Sequence, residues 1–194
     1  MTSAVSAPGP DFDAVKRLHK ELDAESDRGV ILVSSAMLEE ALRELLIVFL
    51  APNFSSADAL LDGANGPLSS FSSKVDVSYR VGLISDRFAR DLHLIRKVRN
   101  DVAHRPAGCD FSDSSVKDRI AALSKSHGIF ERSPGRIQRW GYPTVREQFI
   151  EAVSWMLFFL AAERRRVKPI AAHAAEFGYM VSLDDESTWP KPGE

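Results

Sequence analysis

Apolar residues recur at intervals of three and four through most of this sequence, the spacing of one face of an α-helix. The longest such segment, from residue 26 or 27 to about 50, has two adjacent apolar rows, so it is expected to pack on more than one neighbour. No segment alternates apolar and polar residues as a half-buried strand would, so the chain is expected to be all-α. The two rows are Val30, Val33, Met37, Ala41, Leu45, Val48 and Ile31, Leu38, Leu42, Phe49.

Five further segments share this spacing, and signals for helix ends bound them. Gly82 ends the third predicted helix, and Pro106 ends the fourth because a proline disfavours the α conformation in the residue before it. The last helix is expected to start near Pro143, a favoured first helical position, with a capping box over 144–147. The predicted helices cover 11–24, 26 or 27 to about 50, about 69–81, 85 or 86 to 105, 113–124 and about 143–166.

Together these elements predict an up-down helical bundle with a C-terminal extension. Residues 1–10 are expected to be disordered, 11–166 to form the bundle domain and 167–194 to form a tail. A chain of 194 residues is long enough for one domain with a full core. Its net charge of -2 gives no general attraction to nucleic acid or to an anionic membrane.

Several kinds of site and location are not expected from this sequence. With one cysteine, Cys109, the chain cannot form an intramolecular disulfide, which favours a reducing compartment. No signal peptide is evident and the most apolar stretch, 152–162, is too short to span a membrane, so a cytoplasmic protein is expected. No phosphate-binding glycine loop, zinc spacing or nucleophile elbow is present, so neither a metal nor a cofactor is expected. The lack of a helix-turn-helix with a basic recognition helix argues against direct binding of duplex DNA.

Arg99, Asn100 and His104, near the end of the fourth predicted helix, form the strongest candidate for chemistry. Asn100 and His104 share a helix face, while Arg99 lies about 140° round the helix from His104. An imidazole can transfer protons, a guanidinium can hold a phosphate and an amide can orient either, as RNA cleavage without a metal requires. One histidine cannot be base and acid at once, so the hypothesis places the site at a homodimer interface. The alternative is that Arg96, Arg99 and His104 only stabilise the helix C-terminus.

Two other groups of residues could support such a site. Asp27 and Arg28 are interpreted either as the start of a helix or as side chains that orient the Arg99–His104 cluster, with Arg96 as a further supporting residue. The segment 125–142 interleaves cations with aromatic rings, which is typical of single-strand binding by charge and stacking, although a solvated loop with apolar anchors also fits. Its candidate RNA-binding residues are Lys125, Arg132, Arg136, Arg139 and Trp140.

An ordered series of short motifs runs through roughly residues 20–125. The motifs are Glu25-Ser26-Asp27-Arg28-Gly29, Leu38-Glu39-Glu40-Ala41-Leu42, Gly66-Pro67-Leu68 with Phe71 and Lys74, Gly82-Leu83-Ile84, and Ile95-Arg96-Lys97-Val98-Arg99-Asn100 with Ala103-His104. In this series the sequence resembles the mannitol repressor-like proteins. The resemblance implies an all-helical bacterial regulator without an evident DNA-binding motif, which would act through a protein partner.

The spacing of Arg99, Asn100 and His104 also resembles the motif of the HEPN (higher eukaryotes and prokaryotes nucleotide-binding) superfamily. That resemblance implies a metal-independent ribonuclease site at a dimer interface, although many HEPN-like proteins are not nucleases. Three hypotheses follow. The first is a dimeric endoribonuclease, a toxin or defence effector with an antitoxin as partner. The second is a non-catalytic regulator of the mannitol repressor type, and the third is a module that binds nucleotides or RNA without turnover.

Overall fold

The computed structural model describes residues 12–53, 58–63, 65–105, 110–127, 138 and 141–171, without the side chains of 12–16 and 124–127. Six helices and no strand lie in these ranges, which confirms the all-α prediction. The predicted disordered segment and nearly all of the predicted tail fall outside them, so the division into domains stays a prediction. The helices are α1 (Phe12–Asp23), α2 (Asp27–Phe49), α3 (Phe71–Arg80), α4 (Asp86–His104), α5 (Ser114–His127) and α6 (Val145–Arg166).

Four helices begin at a serine or threonine whose hydroxyl accepts the backbone N–H three residues later. Ser26, Ser70, Ser85 and Thr144 cap α2, α3, α4 and α6 in this way. At α6 the predicted capping box is present, since the carboxylate of Glu147 also accepts the backbone N–H of Thr144 at 2.7 Å. The helix begins at Val145, two residues after Pro143, so Pro143 precedes the cap instead of taking the first helical position.

The end of α3 depends on a glycine. Gly82 has φ +80, a left-handed conformation that costs other residues more. Its N–H donates to the carbonyl of Tyr79 at 3.0 Å, and the N–H of Leu83 donates to the carbonyl of Ser78 at 2.9 Å. These two bonds form a Schellman motif, which satisfies carbonyls that the helix leaves unpaired and turns the chain toward α4.

Helix α2 lies at the centre of the bundle and packs against α1, α3, α4 and α6. Helix α5 closes the bundle on the other side, between α4 and α6. The core is mainly apolar, and its fully enclosed side chains include Leu38, Leu42, Ile95, Ile120 and Phe149. The prediction that the wide stripe of α2 meets several neighbours is therefore confirmed.

The helical spacing predicts Val33, Tyr79 and Phe159 on the buried faces of α2, α3 and α6, but the structure exposes all three. Val33, Tyr79 and Phe159 have 41%, 45% and 49% of their surface accessible. Each belongs to an apolar row of its helix, but a row is buried only where a neighbouring helix covers it. The spacing within one helix does not contain that information.

One arginine of α6, Arg146, joins this helix to the connection between α1 and α2. The guanidinium of Arg146 donates to the carboxylate of Asp27 at 2.5 Å and to the carbonyls of Leu22 and Glu25 at 3.0 and 2.6 Å. Carbonyls at the end of a helix have no partner within the helix, so this guanidinium satisfies the C-terminus of α1. It holds the α1–α2 connection against the first turn of α6.

Candidate functional site

Helix α4 carries the predicted catalytic residues near its C-terminus. Arg99 is exposed, Asn100 is partly buried, and His104 is the exposed last residue of the helix. The guanidinium of Arg99 donates to the side-chain oxygen of Asn100 at 3.1 Å. Arg96 lies one turn before them, so positions 96, 99 and 100 share one face of α4.

That face of α4 borders a cavity of about 330 Å³, which we call the arginine pocket. Two of the three predicted catalytic residues and one supporting residue line it, while His104 does not. Among the described residues, the arginine pocket therefore brings together Arg99 and Asn100 but not the imidazole of His104. The lining residues are Glu39 of α2, Ser69, Ser70, Phe71 and Ser72 at the start of α3, and Arg96, Arg99 and Asn100 of α4.

A buried ion pair holds one wall of the arginine pocket. The ammonium of Lys74 donates to the carboxylate of Glu39 at 2.9 Å and to the carbonyl of Ser69 at 2.8 Å. The side chain of Lys74 is only 4% exposed, against 30% for Glu39. The helical spacing of α2 predicts Glu39 on the solvated face of the helix, whereas the structure pairs it with the buried Lys74. The signal that could have found the pair is that Glu39 and Lys74 both occur in the motifs shared with the mannitol repressor-like proteins.

The predicted supporting residues at the start of α2 divide between two places. Arg28 donates to the carbonyl of Val102 at 2.7 Å and to that of Arg105 at 3.4 Å, so its cation stabilises the C-terminus of α4. Asp27 pairs with Arg146 and faces α6. The structure thus brings Arg28 to the helix end that carries His104, but it directs Asp27 elsewhere.

Two ion pairs tie the end of α4 to α5. Asp101 pairs with Arg119, and Arg105 lies 3.6 Å from Asp113. The pKa of Asp113 is lowered, mainly because its carboxylate accepts the hydroxyl of Ser115 and then the N–H of the same residue. In the same way, the hydroxyl and N–H of Ser112 lower the pKa of Asp110.

The lowered pKa of Asp113 predicts a pH dependence. A carboxylate whose pKa falls on folding stabilises the fold fully above its unfolded pKa, about 3.9. This contribution is lost as the pH falls through the lower folded pKa. The stability difference between wild type and Asp113→Ala, measured by urea unfolding, is therefore expected to be constant near neutral pH and to shrink below pH about 4. A difference that did not change with pH would contradict this account.

The predicted RNA-binding segment is largely outside the described residues. Lys125 lies in α5, but the description does not extend to its side chain. Arg132, Arg136, Arg139 and Trp140 fall outside the described ranges altogether. Their role in RNA binding stays a prediction.

A larger groove of about 590 Å³ lies between α1, α2 and α6, and we call it the aromatic groove. Phe158 of α6 lines one side of this groove and packs against two aromatic neighbours on the same helix. Its ring centroid is 5.7 Å from that of Trp155 and 5.8 Å from that of Phe159. The helical spacing of α6 predicts Trp155 and Phe159 on its core-facing side, so the sequence does not predict a groove beside them. Its apolar lining residues are Leu18, Met37, Ala41, Leu157, Phe158 and Ala161, and its polar ones are Arg17, Glu21, Glu40, Glu44, Ser154 and Arg165.

The described part of the chain contains neither a candidate metal site nor a candidate membrane-spanning helix. It has no group of three or more histidine, cysteine or acidic side chains that could hold a metal ion. None of its helices combines the length and the apolar character needed to cross a membrane.

The order of helices and motifs agrees with a known family. The family model described as Mannitol repressor (MtlR) matches residues 15–134, more than half of the sequence. The chain belongs to the mannitol repressor family. This confirms the family resemblance found in the sequence, whereas the HEPN-like motif stays a prediction. No curated protein matches the chain.

Two solved structures have a similar fold. One is the MtlR–HPr complex from Escherichia coli, with 20% identity, a TM-score of 0.53, and coverage of 76% of this chain and 98% of that one. The other is a possible transcriptional regulator, YggD, from Shigella flexneri, with 13% identity, a TM-score of 0.58, and coverage of 84% and 99%. At these identities the likeness shows a shared fold alone.

Proposed function

We propose that this chain is a non-catalytic regulator of transcription that acts in the cytoplasm by binding a protein partner. The observation that carries this proposal is the match to the mannitol repressor family over residues 15–134. The related fold from Escherichia coli was solved as a complex with HPr, so HPr is the partner we propose to test. A regulator that acts through a protein needs no DNA-binding motif of its own, in keeping with the sequence.

The aromatic groove is the surface we propose for this partner. Exposed aromatic side chains beside a concave apolar surface are typical of binding hot spots. Phe158 lines the groove and Phe159 is 49% exposed beside it. The charged residues around the apolar lining, such as Arg17 and Glu21, suit the polar rim that surrounds such a hot spot.

The partner proposal is tested by calorimetric titration of the chain with HPr from the same organism. Loss of a buried aromatic contact weakens binding by about tenfold or more, so Phe158→Ala and Phe159→Ala are expected to do so. Tyr79→Ala is the matched control, since Tyr79 is 45% exposed but lies on α3, and it is expected to change affinity less than about twofold. The absence of binding, or equal affinities for all three variants, would overturn the proposal.

The ribonuclease hypothesis makes a different prediction for the same protein. It is favoured by the position of Arg99 and Asn100 in an open cavity, but it requires His104 to join them from a second copy of the chain. As a regulator, the chain is expected to leave RNA intact in EDTA, both as wild type and as His104→Ala. Cleavage by the wild type that is lost in His104→Ala would contradict the regulator and support a dimeric nuclease.

A further inference from the structure

The arginine pocket contains two cations without an anionic partner in the described chain. Arg43, Arg119 and Arg146 each pair with a carboxylate. Neither Arg96 nor Arg99 has such an ion pair among the described residues, and the only hydrogen bond there from Arg99 goes to neutral Asn100. The Nε atom of Arg96 is buried and has no hydrogen-bond partner in the same part of the structure. A buried N–H of this kind normally has an acceptor.

The one carboxylate that lines the pocket is already neutralised. Glu39 accepts the ammonium of Lys74 at 2.9 Å, and Lys74 is almost fully buried. The charges of this pair cancel at short range, so the two guanidinium groups leave the pocket with an excess of about two positive charges. In a partly enclosed site such charges are screened less than at the open surface.

The start of α3 adds hydrogen-bond donors to the same pocket. The first N–H groups of a helix have no partner within it and carry partial positive charge. Ser70 caps the N–H of Ser73, and Phe71 and Ser72, whose N–H groups belong to this first turn, line the pocket. Helix α3 has no acidic residue in its first turn to compensate this charge.

We propose that the arginine pocket binds the phosphate group of a small phosphomonoester. A dianion matches two guanidinium groups and a helix N-terminus, and guanidinium groups bind phosphate oxygens in pairs of hydrogen bonds. The hydrogen bond from Arg99 uses the oxygen of Asn100, which leaves the amide NH₂ of Asn100 as a further donor. The volume of about 330 Å³ is at the lower end for small-molecule sites, so it suits a phosphate with a few carbons.

The test is a titration of isotopically labelled protein with glycerol 3-phosphate and, separately, with inorganic phosphate, at constant ionic strength. Saturable changes in the amide resonances of Phe71 and Ser72 are expected, with tighter binding of glycerol 3-phosphate. Loss of a charge-assisted hydrogen bond weakens binding by about tenfold or more, so Arg99→Gln and Arg96→Gln are expected to do so. Lys97→Gln is the matched control, since it removes the same charge from an exposed position of α4 outside the pocket.

Each other outcome overturns the proposal. Equal weakening by Lys97→Gln and Arg99→Gln would indicate only general attraction of anions. Inorganic phosphate that binds as tightly as glycerol 3-phosphate would exclude the ester, and an RNA oligonucleotide that binds more tightly would favour a nucleic acid site. Because Arg99 is exposed, its variant is expected to fold, and its unfolding curve checks this. The result is independent of HPr binding, which concerns a different surface.

Discussion

Replacement of Glu39 by alanine is expected to lower the free energy of unfolding by about 3 kcal/mol. The reason is that the ammonium of Lys74, whose side chain is only 4% exposed, would lose its counter-ion and keep only the carbonyl of Ser69 as a partner. An unpaired buried charge costs several kcal/mol, whereas loss of an exposed ion pair costs little. Urea unfolding measured by circular dichroism gives the value directly.

Two further variants test the cause of this effect. Glu40→Ala is the matched control, because Glu40 is 59% exposed and pairs with Arg43 at the surface, so a loss below about 1 kcal/mol is expected. In the double variant Glu39→Ala, Lys74→Met no charge is left buried, and most of the lost stability is expected to return. If Glu39→Ala were no more harmful than Glu40→Ala, the buried pair would not have the role we assign to it.

Replacement of Phe149 by alanine is expected to cost about 4 kcal/mol, the largest effect of any single change considered for this chain. Phe149 is fully buried in α6, and its ring centroid lies 5.5 Å from that of Phe111, which comes just before α5. Its removal deletes apolar contacts and leaves a cavity that the surrounding helices can fill only in part.

Phe159→Ala is the matched control for this prediction, since it makes the same chemical change on the same helix. Phe159 is 49% exposed, so its loss is expected to cost less than about 1 kcal/mol. Thermal or urea unfolding of the two variants under one set of conditions separates them. Similar losses of stability for both variants would mean that α6 does not bury Phe149 and expose Phe159.

The two cavities meet different sides of one helix. Glu39 of α2 lines the arginine pocket, while its neighbour Glu40 and residue Met37 line the aromatic groove. Successive residues of a helix point about 100° apart, so one helix can contribute to two separate surfaces. The central position of α2 in the bundle therefore lets one short stretch of this helix contribute residues to both candidate sites.

Sequence alone was sufficient for those features that depend on neighbours along the chain. The start of α2 at residue 26 or 27, the start of α4 at residue 85 or 86, the capping box of α6 and the glycine after α3 were all predicted, because each signal acts within one or two helical turns. The shared face of Asn100 and its neighbours on α4 follows from the same short-range geometry. Membership of the mannitol repressor family was also predicted, because the resemblance rests on the order of short motifs along the sequence.

Only the tertiary structure decided what lies opposite each of these faces. The spacing of Arg99 and His104 predicted a catalytic pair, but the cavity beside Arg99 contains Arg96 and the start of α3 and not the imidazole. In the same way, Phe149 and Phe159 belong to one apolar pattern, yet one is enclosed and the other exposed. Helical periodicity determines which side chains share a face, whereas the packing of distant helices determines whether that face is covered, charged or open.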